Sequence, residues 1–343
     1  MRGLLLAEMD NALVPKLYSL LDMEAGGWYE TQELLDETEL ISRMQDKNIL
    51  ITSYDLVTRN VIEKCPQLKL IACTRSNPVN IDYVAATEKG IPILYTPGRN
   101  ADSAAEYTIA MMLNIARNIP IAYQALHEGN YLNRSGFEEK RDNAMKEDVT
   151  WALGGGSPYI EFKGYELKGK VLGIIGYGQI GRKVAQLARA FGMKICVVDP
   201  NLEERSAIDI ELLTLDDLLA SCDFITSHAA VVPETIGLLN KEAFGKMKES
   251  AYLINTSRGA IVNETDLIEA LRNRTIAGAA LDVFAKEPLR ADHPFLNELK
   301  NVIVTPHIAG ATHDAITNHT KMIIEDIERF MTGAPLKYQF IRI

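Results

Sequence analysis

The sequence predicts an α/β protein built on doubly wound parallel sheets, and three observations predict it. The first hundred residues alternate short apolar runs with mixed, helix-like segments. Val171 to Phe191 reads as strand, tight turn and helix, and the same rhythm repeats regularly from Val171 to the end of the chain. Such alternation folds into parallel strands with helices on their faces. A length of 343 residues allows two domains at roughly 100–200 residues each.

In the first part, residues 4–7, 48–52, 68–73 and 91–95 are apolar runs fit for buried strands, and residues 15–21 and 81–89 carry helical spacing. Residues 24–46 show neither period. Residues 102–118 predict a helix in which Ala105, Ile109, Met112 and Ala116 mark one face while Met111, Leu113 and Ile115 make much of the rest apolar. A helix apolar nearly all round belongs between domains or subunits, so this one is expected against a second copy of the chain. The long polar, glycine-containing connection over 128–168 is expected to be functional or flexible. From residue 171 onward the strand candidates are 171–175, 194–198, 223–227, 251–255, 278–282 and 302–304, six in all, with helices such as 214–220 and 263–272 between them. A last helix is expected over 318–331, returning to the first domain.

The run ending in Gly176-Tyr177-Gly178-Gln179-Ile180-Gly181 has a separate use for each glycine in a dinucleotide site. Gly176 makes the turn, Gly178 lets backbone approach a pyrophosphate, and Gly181 lets the helix pack close to the strand. A lone G-x-G-x-x-G is weak. Here a second strand follows and ends in Asp199, eighteen residues after Gly181, where a carboxylate can accept both ribose hydroxyls. Asp199 would repel a 2′-phosphate, and Pro200-Asn201-Leu202 supplies no arginine to receive one, so the cofactor is expected to be NAD.

In an open parallel sheet, ligands sit beyond the carboxyl ends of the strands. Just after the strands lie His228-Ala229, Thr256-Ser257-Arg258, Asp282, and Pro306-His307, with Glu287 a few residues past its own strand. Arg258 can grip a carboxylate bidentately and polarise an adjacent carbonyl. Glu287 beside His307 would fix the imidazole's tautomer and raise its pKa, giving an acid for an oxygen that becomes an alkoxide. Taken singly, each has an ordinary reading as a salt bridge, a solvated charge or a loop residue. Their common place on one rim favours chemistry.

Composition narrows the partners. A formal charge of −10 argues against nucleic acid or an anionic membrane surface, so an anionic substrate must be met by local arginines. The N-terminal apolar run is too short for a signal peptide and no stretch approaches about 18 apolar residues, so a cytoplasmic protein is expected. Cys65, Cys73, Cys196 and Cys222 lack metal or redox spacing and read as buried thiols, and no metal site is expected.

On the glycine motif, Asn255-Thr256-Ser257-Arg258-Gly259, Leu281-Asp282-Val283-Phe284, Glu287-Pro288 and Thr305-Pro306-His307, in that order and spacing, the chain resembles the D-isomer-specific 2-hydroxyacid dehydrogenases from about residue 68 to about 315. The family includes D-3-phosphoglycerate dehydrogenase and glyoxylate/hydroxypyruvate reductase. The resemblance implies two Rossmann-like domains, the cofactor domain inserted into the substrate domain. The substrate domain would take residues 1–100 and 318–343 and the NAD domain 101–317, with chain crossings near 98–103 and 308–318. It implies a catalytic set of Arg258, Glu287 and His307, with NAD contacts from Thr96, Gln179, Ile180, Asp199, Ala229, Thr256, Asp282 and Gly310, Asp282 lying near the nicotinamide amide. It also implies a homodimer, or a dimer of dimers, built on the helix and arm over 102–169.

One stretch departs from the family. Where many relatives have a G-x-G-x-D-N loop presenting backbone N–H groups to the substrate carboxylate, this chain has Arg75-Ser76-Asn77-Pro78-Val79-Asn80. Arg75, with Ser76 and Asn77, is therefore expected to meet a substrate with a polar or anionic tail, such as a hydroxylated or phosphorylated sugar acid. Its ordinary alternative is a surface pair with Asp82 or Glu106. Rival readings are a phosphoglycerate dehydrogenase lacking a regulatory domain and an NAD(H)-sensing corepressor-like binding protein; the triad and the acidic surface favour the enzyme. Formate dehydrogenase is disfavoured because the residues around His307 lack a Gln-Pro-x-x-Pro pattern.

Overall fold

The computed structural model describes residues 1–132, 157–202 and 209–341. The chain forms two compact units, Met1–Ser103 with Ala311–Ile343, and Ala104–Gly310.

The first unit is built on a parallel sheet of five strands in the order β2-β1-β3-β4-β5: β1 Arg2–Leu5, β2 Asp22–Ala25, β3 Ile49–Thr52, β4 Leu70–Cys73 and β5 Ile93–Leu94. Alternate residues face opposite sides. Leu4, Leu50, Ile71 and Ile93 enter one apolar layer with Leu40 and Met44, while Leu5, Ile49, Ile51, Leu70 and Leu94 enter the other. Strand β2 has no sequence signature because it is an edge strand, where Asp22 and Glu24 keep partial contact with water. The rest of the aperiodic stretch holds a short helix, Trp28–Thr31, and the helix Glu37–Met44, capped by Asp36, which accepts from Glu39 N at 2.8 Å.

The last helix spans His313–Thr332 and starts five residues before the periodicity suggests. Thr312 caps it, accepting from Ala315 N at 3.1 Å, and Ile323, Ile324 and Ile327 pack beneath the five-stranded sheet. The cap makes the start legible; the mostly polar first turns, in which Ala315 and Ile316 are the apolar residues, hide it from apolar spacing.

Among its described residues the second unit carries seven parallel strands rather than six, in the order β12-β11-β10-β9-β6-β7-β8. They are β6 Val171–Ile175, β7 Lys194–Val198, β8 Glu211–Leu212, β9 Phe224–Ser227, β10 Tyr252–Asn255, β11 Gly278–Leu281 and β12 Val302–Val304. The added strand, β8, is two residues at an edge, too short for a period-2 signal. The order reverses between β6 and β9, which opens a crevice at the carboxyl ends of these two strands.

One expectation is corrected here. The helix Ala101–Ala116 does not need a second subunit to cover it. Ala105, Ile109, Met111, Met112, Ile115 and Ala116 are buried in the second unit's own core with Leu172, Ile174, Ile195 and Val197. A helix apolar on most sides marks burial between layers, and a sheet supplies that as well as a partner does. Exposed apolar side chains instead lie on the next helix, Ile119–His127, at Ile119, Ile121, Tyr123 and Leu126. Residues 133–156 of the expected arm lie outside the described residues. All four cysteines are free and buried.

His319 lies on the buried face of the last helix, 2% exposed. Its Nε2 is 2.8 Å from the Glu8 carbonyl oxygen and its Nδ1 2.9 Å from Arg99 Nη1. With Nε2–H donating to the carbonyl, Nδ1 accepts from the guanidinium and the ring is neutral. Burial, and then the Arg99 charge, push its pKa from 6.5 down to about 4. The unfolded chain therefore binds this proton first as pH falls. Stability from this residue is whole above about 6.5, drains between there and about 4, and changes no further below, a total of about 3 kcal/mol. Urea unfolding at about pH 7.5 and about pH 4.5 should show a smaller loss for His319→Gln than for the wild type. Parallel losses would mean that the folded ring titrates normally.

Candidate active site

The second unit's site starts at the glycine turn. Gly176 has φ +90, and a Cβ there would lie 2.6 Å from Ala229 N, so the turn sits directly on the backbone after β9. A Cβ on Gly181 would lie 2.3 Å from the Gly176 carbonyl oxygen, which sets how closely the helix Gln179–Ala190 meets β6. A Cβ on Gly178 would meet nothing within 4 Å. That open approach to the first turn of a twelve-residue helix, with Gln179 exposed and Ile180 half-buried, suits a pyrophosphate on free N–H groups.

Asp199, at the end of β7, is held by backbone. Oδ2 accepts from Tyr177 N at 2.7 Å and Oδ1 from Asn201 N at 2.9 Å, and each oxygen keeps a lone pair for a ribose hydroxyl. The carboxylate thus also fixes the glycine turn. Next to Ala229, His228 Nε2 lies 3.1 Å from Thr226 Oγ1, and burial lowers its pKa to about 4, so the ring is neutral. Its Nδ1 and the Ser227 hydroxyl are buried without partners among the described residues. Thr256 Oγ1 lies 2.7 Å from Thr108 Oγ1.

Three adjacent strands, β10, β11 and β12, carry the reacting groups on the turns that follow them. After β12, His307 Nδ1 lies 2.6 Å from Glu287 Oε2, and Glu287 Oε1 accepts from Phe284 N at 3.0 Å. The imidazole therefore donates from Nδ1 and, among the described residues, leaves Nε2 free. A depression of about 620 Å³ borders the pair, walled by Phe284, Pro288, Leu289, Leu296 and Val304. After β10, Asn255 braces the arginine turn: Oδ1 accepts from Ser257 N at 3.1 Å and Nδ2 donates to the Arg258 carbonyl at 3.0 Å. A Cβ on Gly259 would lie 1.9 Å from the Phe284 carbonyl oxygen, so the Arg258 turn and the Glu287 loop touch backbone to backbone. Arg258 is exposed, and among the described residues its fork is engaged at Nη1 alone, with the Ser257 carbonyl at 2.6 Å.

Asp282, which the resemblance sets near the nicotinamide amide, also braces the His307 loop. It is fully buried, and both oxygens are engaged by the His307 loop. Oδ1 accepts from Thr305 Oγ1 at 2.6 Å and Ile308 N at 2.9 Å; Oδ2 accepts from Ala309 N at 2.8 Å. His307 has φ +56, a conformation costing a non-glycine residue about 1–3 kcal/mol, and these bonds hold it there. Sequence reasoning missed this bracing; the legible signal was a threonine and an aspartate at the ends of neighbouring strands. Gly310 closes the second unit.

Thr96, Arg75, Ser76 and Asn77 belong to the first unit. The Thr96 hydroxyl is buried and unpartnered among the described residues. Ser76 Oγ donates to the Thr96 carbonyl at 3.1 Å. Arg75 lies over the Tyr54 ring at 5.2 Å, and Asp82 instead caps a helix, accepting from Ala85 N at 2.9 Å. Asn77 is exposed on the same loop.

The profile of the D-isomer specific 2-hydroxyacid dehydrogenase NAD binding domain matches residues 109–309. The chain belongs to the D-isomer specific 2-hydroxyacid dehydrogenase family. A hydroxypyruvate reductase from Blautia hydrogenotrophica is 33% identical over 312 residues, 90% of this chain and 89% of its own. A D-3-phosphoglycerate dehydrogenase from Archaeoglobus fulgidus is 38% identical over 84% of this chain and 50% of its own length. Among solved structures, the TT0316 protein from Thermus thermophilus is 29% identical with a TM-score of 0.79, covering 99% of this chain and 100% of its own. D-lactate dehydrogenase with NAD+ from Lactobacillus jensenii, 22% identical, shares the fold at a TM-score of 0.80 over all of both chains. The family member described here is an NAD-dependent oxidoreductase of 2-hydroxy acids.

The tight contact at Gly181 yields a test that joins fold and cofactor. Gly181→Ala should lower stability by about 1–3 kcal/mol in urea unfolding, because a backbone carbonyl cannot move aside as a side chain can. It should also weaken NADH binding measured by fluorescence. Unchanged binding with full stability would show that the helix start has slack.

Proposed function

We propose that Arg258, Glu287 and His307 interconvert a 2-oxo acid and its D-2-hydroxy acid. NADH, when bound, supplies the hydride that reaches C2. Arg258 offers an exposed, largely unengaged fork, suited to hold the substrate carboxylate and polarise the carbonyl. His307 gives a proton from Nε2 to the C2 oxygen in reduction and takes it back in oxidation. Glu287 holds the ring by Nδ1 and so fixes its orientation and tautomer. The 2.6 Å contact between His307 Nδ1 and Glu287 Oε2 carries this reading, because it leaves one ring nitrogen for proton transfer. The two-ended match to a hydroxypyruvate reductase supports a short, polar oxo acid.

We further propose a cytoplasmic homodimer. Four buried free thiols suit a reducing compartment, and no helix among the described residues is long and apolar enough to cross a membrane. The exposed apolar side chains of the helix Ile119–His127 are the surface a second copy would cover.

Screening NADH oxidation against short 2-oxo acids tests the activity. His307→Ala should cut kcat on the best of them by about 10²–10⁴-fold while NADH still binds. Near-normal turnover would remove His307 from the mechanism. Light scattering at micromolar concentration should give a dimer mass that Leu126→Glu lowers; a monomer mass in the wild type would overturn the assembly.

A further inference from the structure

The segment that carries Glu287 is exposed from Ala285 to Pro288 and follows the buried Asp282, Val283 and Phe284 at the end of β11. Among the described residues no backbone-to-backbone hydrogen bond reaches residues 283–289, so no backbone ladder ties this stretch to the second unit. Side chains do it instead. The bond from Phe284 N to Glu287 Oε1 closes within the segment and sets the carboxylate on its own backbone, without fixing that backbone to anything else. The tie outward comes from Ala285 N, which donates to Glu264 Oε2 at 3.0 Å. Glu264 is the first residue of the helix Glu264–Arg272, which follows the Arg258 turn.

Glu264 is itself locked. Its Oε1 lies 3.2 Å from His293 Nε2, and His293 Nδ1 accepts from Phe295 N at 3.3 Å as the cap of the short helix Pro294–Asn297. With Nδ1 accepting, Nε2 carries the ring proton and donates it to Glu264. Two N–H groups from different segments thus point at one side chain. A carboxylate satisfies both, one oxygen each, whereas an amide would turn its NH2 on one of the two donors. The side chains of His293 and Glu264 are 15% and 22% exposed, and a hydrogen bond left unmade away from water costs more than one at the open surface. A glutamate in a first turn also favours the helix dipole, but that needs no second acceptor.

We infer that Glu264 is a positioning residue for the reaction: its carboxylate holds the Ala285 backbone so that Glu287, two residues on, meets His307 Nδ1. The inference rests on the reading of Glu287 and His307 as the pair that handles the proton. All of these residues lie in the second unit.

A double-mutant cycle on the full chain tests it, with Glu264→Gln, Glu287→Gln and the two together assayed with NADH on the best short 2-oxo acid. Glu264→Gln should lower kcat at least roughly tenfold, the scale of a lost hydrogen bond to a charged group, and leave NADH affinity by fluorescence unchanged, because the glycine turn and Asp199 are untouched. In the Glu287→Gln background the same substitution should cost less than about twofold, since it acts through Glu287. Hydrogen exchange over residues 284–288, read without substrate, should quicken in Glu264→Gln. If that variant does not fold, His293→Ala, which releases Glu264 Oε1 and keeps the carboxylate, should show a smaller kcat loss with the same dependence on Glu287. An unchanged kcat, an equal loss in both backgrounds, a loss matched by weaker NADH binding, or unchanged exchange overturns the role of Glu264 alone. Wild-type turnover in Glu287→Gln removes the proton-transfer reading of Glu287, and the role of Glu264 with it.

Discussion

A single buried carboxylate organises the reacting end of the second unit. Asp282 stands at the end of β11 with no exposure and accepts three hydrogen bonds, all from residues 305–309. A carboxylate out of water is tolerable only when its oxygens are satisfied, so the loop is pinned as firmly as the carboxylate needs partners. His307 is thereby held at a backbone angle it would not otherwise adopt, with Nδ1 on Glu287. Asn255 does the same for the Arg258 turn, and Gly259 lets the two loops meet. Much of what positions the chemistry is thus hydrogen bonding and close backbone contact behind it.

The cofactor side follows the same economy of backbone. Gly176 and Gly181 are places where a side chain would strike a backbone atom, whereas Gly178 faces open space. The first two set the path of the turn and the third leaves it approachable. Asp199 closes the arrangement by taking Tyr177 N, so the residue suited to ribose also supports the turn suited to phosphate.

The two units treat charge differently. In the second, the ionisable groups around the reacting site are braced by backbone or paired with one another. In the first, Arg75 and Arg99 stand on neutral supports, a tyrosine face and an uncharged imidazole. The imidazole stays uncharged because burial and the adjacent guanidinium both resist a second positive charge.

The sequence by itself determined the sheet-and-helix alternation, the glycine turn with Asp199, and the candidates Arg258, Glu287 and His307, because each follows from short-range pattern: apolar runs, fixed glycine spacing, and polar residues just past a strand. Tertiary structure decided what depends on neighbours distant in the chain. Edge strands β2 and β8 form because a neighbouring strand offers hydrogen bonds, despite weak patterns of their own. The helix Ala101–Ala116 is covered by its own unit's sheet, which its apolar girth alone could not distinguish from a partner subunit. Asp282 became a brace through Thr305, 23 residues away, and Arg99 found His319 across 220 residues. Hydrogen-bond partners at such separations leave no periodic trace, since only the folded path of the chain brings them together.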